Sequence, residues 1–349
     1  YKGVAHRIRA AAGLLHGKID LAAQEIEAAM VQFDPGTKGD IHHFQTRQLA
    51  GIIAFEGGAY EQAREQLSRV LNFFETISSD LSWCETSLVL GMACIRLNDR
   101  DAGLSHIRQG LEKAAQESYR FFPQISRKTL ADVLITGILS ENFPESGETF
   151  LLELAGRCGA STVLDSIDQA LKHVPPRGRS KSVECLTPVY CRMLPKLDIQ
   201  TLGQFCLFLD GNRMDPKSFE GAKPLTLLKS IVLHGGADIP REILIHDLWP
   251  DSPAQAGEKN FKINLYRLRK AIEPNPRKEF GHSYILLKSG LVSLNPDLVT
   301  VDVTQFLDLG NQAEKAEDQK EHPRALGLYK DACRLYQGDF FAEEPYLEW

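Results

Sequence analysis

Between Ala254 and Ile272 the chain sets five basic side chains against a single acid, Glu258. At about 100° per residue, Phe261, Leu265, Leu268 and Ile272 fall in a stripe of roughly 60° that must face a core. Lys259, Lys262, Ile263, Tyr266, Arg267 and Lys270 take the opposite arc of a helix predicted over 255–272. The chemistry open to that arc is recognition of a nucleic acid. Cations neutralise phosphates, a helix fits the major groove, and long side chains reach base edges. Ile263 and Tyr266 can meet a thymine methyl group or a sugar edge. The same run also reads as a surface helix whose late charges, Arg267, Arg269 and Lys270, suit the negative end of its dipole. The helix by itself does not decide between these readings.

Bond-making chemistry has no such footing. The chain contains no Walker-type glycine loop, no Gly-x-Ser-x-Gly elbow and no His-Glu-x-x-His motif. No catalytic residue, metal ligand or cofactor is expected, and the chain is not read as an enzyme. His42 and His43 are adjacent and cannot both face one metal position. The seven cysteines are odd in number and scattered, with no Cys-x-x-Cys pair, as suits reduced thiols in a cytoplasm. Cys84 and Cys94 lie in apolar helical patterns and read as small buried hydrophobes. Cys185 and Cys191 are the one pair kept as a redox or metal candidate.

The elements around the helix predicted over 255–272 give it a context. Lys196 to Leu202 and Gln204 to Leu209 read as two short strands. Leu225 to His234 reads as a buried helix ended by Gly235-Gly236. Pro240 opens a second helix that Pro250 stops, and Ser252-Pro253 starts the third. Ser283 to Lys288 and Leu291 to Asn295 then form a hairpin with Ser289-Gly290 as its turn. Strands, three helices with a basic third, and a hairpin is the order of a winged helix. The hairpin, 283–295, would be the wing, with Lys288 near its tip.

The first half is different. Gly17-Lys-Ile-Asp-Leu-Ala, Gly58-Ala-Tyr-Glu-Gln-Ala and Asn98-Asp-Arg-Asp-Ala-Gly start 41 and 40 residues apart. The same helix pattern follows each: Ala22, Ile26 and Met30; Ala63, Leu67 and Leu71; Gly103, Ile107 and Leu111. Apolar helices precede them at Ile8 to Leu15, Thr46 to Phe55 and Glu85 to Leu97. Helix pairs at a fixed period are the signature of a solenoid, since one pair cannot bury its own apolar face. A degenerate pair, Lys128 to Leu139 and Ser146 to Cys158, continues the array, and Thr162 to His173 caps it. From Val174 a run with two prolines, a glycine and three positive charges is expected to be an interdomain linker, with Arg177, Arg179 and Lys181 solvated rather than on DNA phosphate.

The bulk properties fit this division. A length of 349 residues implies two or three domains. The net charge of -6 argues against nucleic acid bound along the whole chain. Between Lys196 and Asp297, however, 14 Lys and Arg face 12 Asp and Glu, so a nucleic-acid contact would be local. The longest apolar runs, such as Leu88 to Ile95, fall far short of the ~20 residues that cross a bilayer. No membrane partner is expected, and the location read from the sequence is cytoplasmic. Tyr1 in place of Met, and a final Trp349 in a structured pattern, read as a fragment of a longer protein.

Arg267-Leu268-Arg269-Lys270 and Phe261-Lys-Ile-Asn-Leu-Tyr make Lys196 to Asn295 resemble the OmpR/PhoB-type winged-helix DNA-binding domain. Three further stretches are similar to the Streptomyces-antibiotic-regulatory-protein class: Lys223-Pro-Leu-Thr-Leu-Leu-Lys, Asp247-Leu-Trp-Pro-Asp and Leu291-Val-Ser-Leu-Asn-Pro-Asp-Leu-Val-Thr-Val-Asp. The repeats resemble tetratricopeptide units of the MalT kind. Val303 to Ala316, Ala325 to Tyr336 and Gln337-Gly-Asp-Phe-Phe look like the first part of that class's helical bacterial transcriptional activator domain.

The resemblance implies a mainly α chain with four parts. These are tetratricopeptide-like repeats over 1–173, a linker over 174–195, an α+β winged helix over 196–297 and a partial activator domain over 298–349. It implies transcription regulation, with Lys262, Ile263, Tyr266 and Arg267 in the major groove and Lys259, Arg269 and Lys270 on phosphates. Lys288 stands where the family often places a wing arginine. The implied partners are double-stranded DNA, RNA polymerase, and a small-molecule or protein effector on the repeats. A protein-interaction scaffold whose winged helix binds no DNA is the alternative.

Overall fold

The computed structural model describes residues 2–33, 41–140, 148–273 and 276–343. Ser146, the expected start of one helix, lies outside them. The chain is mainly helical, with a small mixed sheet toward its C-terminal end, and divides into two compact units, Tyr1–Met193 and Leu194–Trp349. Among the described residues no helix is long and apolar enough to cross a membrane.

The regular structure of the first unit is helical throughout its described residues. It begins with three αα-hairpins: α1 (Lys2–Leu15) with α2 (Ile19–Gln32), α3 (Ile41–Glu56) with α4 (Tyr60–Thr76), and α5 (Asp80–Arg96) with α6 (Arg100–Gln116). The three residues that mark the sequence repeat make the turns. Gly17, Gly58 and Asn98 have φ of 68°, 81° and 64°, the left-handed conformation of a helix C-terminus. In each case the next N–H bonds back across the turn: Lys18 to Gly13 O, Ala59 to Ala54 O and Asp99 to Cys94 O. Ser78 and Ser118 close the intervening turns the same way, at φ of 54° and 57°. Small residues allow close approach: a Cβ on Gly103 would lie 2.5 Å from Ile95 Cγ1 and 2.7 Å from Gly91 O.

α5 is the core of this array, buried continuously from Cys84 to Cys94. Burial pushes the Cys84 thiol up to about 12, so it serves as a buried apolar group rather than a nucleophile. The burial of Glu85 is compensated by one hydrogen bond, accepted by Oε1 from the backbone N–H of Gln124 at 2.8 Å.

The array continues through α7 (Arg127–Ile138), α8 (Glu148–Cys158), α9 (Ala160–His173) and α10 (Pro176–Met193). The last of these corrects the expected linker over 174–195. Pro176 occupies the first helical position, where its missing N–H removes no hydrogen bond. Leu186, Val189, Tyr190 and Met193 then recur at helical spacing and are buried, so α10 docks against α8 and α9. Arg177, Lys181 and Pro188 lie on its exposed side. Cys185 and Cys191 are six residues apart on this helix, about 120° around its axis, with Cys185 exposed. They do not face one another as a redox or metal pair.

The second unit opens with β1 (Leu197–Gln200), β2 (Cys206–Leu209) and β3 (Asn212–Arg213). Three helices follow: α11 (Lys223–Leu233), then α12 (Arg241–Leu248) after the short β4 (Ile239–Pro240), then α13 (Ala254–Ile272). β5 (Ile285–Lys288) and β6 (Leu291–Leu294) form the expected hairpin, and β4 pairs with β6, giving the order β4-β6-β5. Its turn residues Ser289 and Gly290 both have positive φ, 52° and 85°, matching the strand twist as a two-residue loop requires.

The chain after the hairpin does not leave this unit. β7 (Val299–Val301) pairs parallel with β1, completing the order β3-β2-β1-β7, and α14 (Asp302–Asp318) packs on both strands. α15 (His322–Leu335) forms a hairpin with α14, turned at Lys320. The Asp302 carboxylate accepts from the backbone N–H groups of Thr201, Leu202 and Val303. Phe341 is buried beside Phe205, its N–H bonded to Thr201 O, and the Lys229 ammonium sits between their rings at 4.7 and 5.4 Å. The expected boundary between 297 and 298 therefore runs through one sheet.

Candidate nucleic-acid interface

α13 buries the stripe that its spacing predicts. Phe261, Leu265, Leu268 and Ile272 are all buried, and the helix packs on α11 and α12. Asn264 joins the buried side, where its amide donates to Asn260 O. The helix starts at Pro253, which supplies the turn but no side-chain cap.

The opposite arc is open. Lys259, Lys262, Ile263, Tyr266 and Lys270 are exposed, and Arg267 is half-exposed. Tyr266 keeps 61% of its surface in solvent and Ile263 38%, a large outlay of apolar area on a charged face. Six of the predicted side chains thus share one surface of one rigid helix. Lys288 is exposed too, at the end of β5 beside the hairpin turn.

Arg269 is the exception. Expected on phosphate, it turns inward instead. Its Nε and Nη2 donate to the carbonyl oxygen of Ile285 at 3.0 and 2.6 Å. Burial holds its pKa below the ordinary arginine value, though an arginine stays protonated in any protein setting. The family motif includes Arg269, but at about 100° per residue it lies only about 40° beyond Leu265, at the margin of the buried stripe. It anchors the hairpin to the helix. Glu273 acts beside it: buried at the end of α13, it accepts from the backbone N–H of Ser283 at 2.9 Å and faces His282 Nδ1 at 3.6 Å. Burial lowers the pKa of His282, with Arg269 adding to the effect.

Two carboxylates meet this surface: Glu258, the one acid of the helix and four residues before Lys262, and Glu220, which has no signal in the sequence. Glu220, in the loop before α11, lies 2.9 Å from Lys270 Nζ and 3.4 Å from Arg267 Nε. Glu258 lies 3.0 Å from Arg241 Nη1 and 3.5 Å from Lys262 Nζ. Three of the cations on the open arc therefore already share an acid of the same chain, all in solvent-exposed pairs that salt screens readily.

No protein-family model matches the chain, nor does any curated protein or solved structure. Among the described residues no group of three or more His, Cys, Asp or Glu could hold a metal ion.

Proposed function

We propose that this chain is part of a sequence-specific DNA-binding transcription regulator, with α13 as the helix that enters the major groove. One observation carries the reading: Lys259, Lys262, Ile263, Tyr266, Arg267 and Lys270 form one exposed face on a helix whose opposite side is fully packed. Such a face offers cations to phosphates and an aliphatic and an aromatic side chain to base edges. The β5–β6 hairpin, tied to the same helix through Arg269, lies against the backbone as a wing and brings Lys288. The order of α11 to α13 with β4-β6-β5 supports reading this part as a winged helix of the OmpR/PhoB type. The helix pairs of the first unit are read as a tetratricopeptide-like array that senses an effector or partner, and RNA polymerase is the partner implied for an activator.

A second reading follows from Glu220 and Glu258. Their ion pairs satisfy part of the charge on the open arc, as a surface that binds protein rather than DNA would require. One experiment separates the two. Genomic fragments are selected with the full chain, and the best duplex is measured by fluorescence anisotropy against Lys262→Glu with Arg267→Glu. DNA recognition requires loss of binding in the double variant and a steep fall of wild-type affinity with salt, by about 0.9 logarithmic unit per phosphate neutralised. Equal binding by the double variant, or no duplex selected, rejects it.

A further inference from the structure

The helical unit carries a cleft of about 710 Å³, walled by the α5–α6 turn, α7, α9 and the start of α10. Its size falls in the range of roughly 300–1,000 Å³ typical of small-molecule sites. Ile95, Ile135, Leu139 and Val174 give it apolar walls, while Arg96 and Arg100 reach it from the α5–α6 turn. The segment expected to be a linker closes it, through Val174, Pro175 and Ser182.

The charge in the cleft is unbalanced. Among the described residues Asp132 is the one acid in its lining, and Lys128 Nζ already binds its Oδ1. The other oxygen, Oδ2, lies 3.7 Å from Arg96 Nη2, a long contact that leaves that guanidinium's remaining donors open. Arg100 is exposed, with no ion-pair or hydrogen-bond partner among the described residues. Asp99 and Asp101 flank it in sequence but do not line the cleft. The cleft is of mixed lining, with Asn98, Thr136, Ser166, Gln169 and His173 among its polar side chains, and it sets two arginines beside an apolar patch with its described acid already paired, which suits a negative head joined to an apolar body.

We infer that this cleft binds a small organic anion, its carboxylate or phosphate head between Arg96 and Arg100 and its apolar body against Ile95, Ile135 and Leu139. The inference deepens, and rests on, the reading of the array as the sensing part of a regulator, and it gives that sensor a ligand class and a place. It is tested on the full chain without DNA, so its failure and a failure of DNA recognition are separate results.

Octanoate, octyl phosphate and the neutral 1-octanol are titrated into the chain by calorimetry. Binding of either anion, with 1-octanol much weaker, is expected, and the better anion identifies the head group. Arg96→Gln with Arg100→Gln should weaken anion binding about tenfold or more, the loss of charge-assisted hydrogen bonds. Ser182→Phe, which fills the cleft from α10, should abolish binding with the circular dichroism unchanged. No binding of either anion at millimolar concentration overturns the site. Equal binding of 1-octanol, or an unaffected arginine double variant, overturns the anionic ligand. Persistence in folded Ser182→Phe overturns the location.

Discussion

Arg269 Nη2 donates to the carbonyl oxygen of Ile285 across 2.6 Å, and Nε donates to the same atom across 3.0 Å. The guanidinium thereby fastens the last turns of α13 to the first residue of the β5–β6 hairpin. Replacing it with glutamine should lower unfolding stability by about 2 kcal/mol, because a charge-assisted donor pair is lost and a carbonyl is left unanswered. Urea denaturation measures that loss. The salt dependence of DNA binding should stay unchanged, in contrast to Lys262→Glu; a shallower slope would put Arg269 on phosphate after all.

Glu220 makes the opposite prediction. Lys270 first, and then Arg267, hold its carboxyl below the usual carboxylate range, so it is ionised throughout the neutral region. The ion pairs form above the unfolded pKa of ~4.3 and are lost only as pH falls through the lower folded value. Glu220→Gln frees both cations at neutral pH. Duplex affinity should rise and the salt slope steepen by about 1 to 2, with the thermal midpoint unaltered. Anisotropy titrations at several salt concentrations test this, and weaker binding would refute a competing role for the carboxylate.

In the helical unit, burial raises Glu85 to about 7. Its folded pKa exceeds the unfolded one, so the folded state holds the extra proton. The associated stability is complete below about pH 4.5 and is lost as pH rises through about 7. Glu85→Gln keeps an oxygen for the Gln124 N–H but carries no charge to bury. Compared with wild type it should be more stable at about pH 8, by on the order of 3 kcal/mol at most. Near pH 5 the two should converge. Parallel curves at both pH values would show that Glu85 is ionised in the fold.

Gly103 faces a harder limit. A methyl group there would stand 2.5 Å from Ile95 and 2.7 Å from the carbonyl of Gly91. Gly103→Ala should therefore lower stability by about 1–3 kcal/mol through overpacking, despite alanine's better helix propensity. A variant with a raised thermal midpoint would show that α5 and α6 can separate cheaply.

Much of this was legible from spacing. Gly17, Gly58 and Asn98 mark the repeat because only certain residues tolerate a left-handed turn, so periodic geometry leaves a periodic residue. The buried stripe of α13 and the Ser289-Gly290 turn were readable for the same reason. Ser78 and Ser118 make the same turn with a residue whose type does not announce it. α10 was missed because prolines and charge outweighed the stripe Leu186, Val189, Tyr190 and Met193, although Pro176 stands where a helix accepts proline. Glu220 could not be seen at all. It lies 47 residues before Arg267, and only the folded loop brings them together.

The Asp302 carboxylate, which gathers the N–H groups of Thr201, Leu202 and Val303, also decides where this chain can be cut. A scissor placed after the hairpin, at Asp297, would seem to release a self-sufficient DNA reader. It would instead strip β7 from β1 and leave the end of β1 without the carboxylate that holds it. The smallest piece with its first sheet intact extends through Asp302, and one that also covers Phe205 extends to Phe341. The three helices α11 to α13 and the C-terminal α14 and α15 are thus one folding unit, to be expressed and studied together.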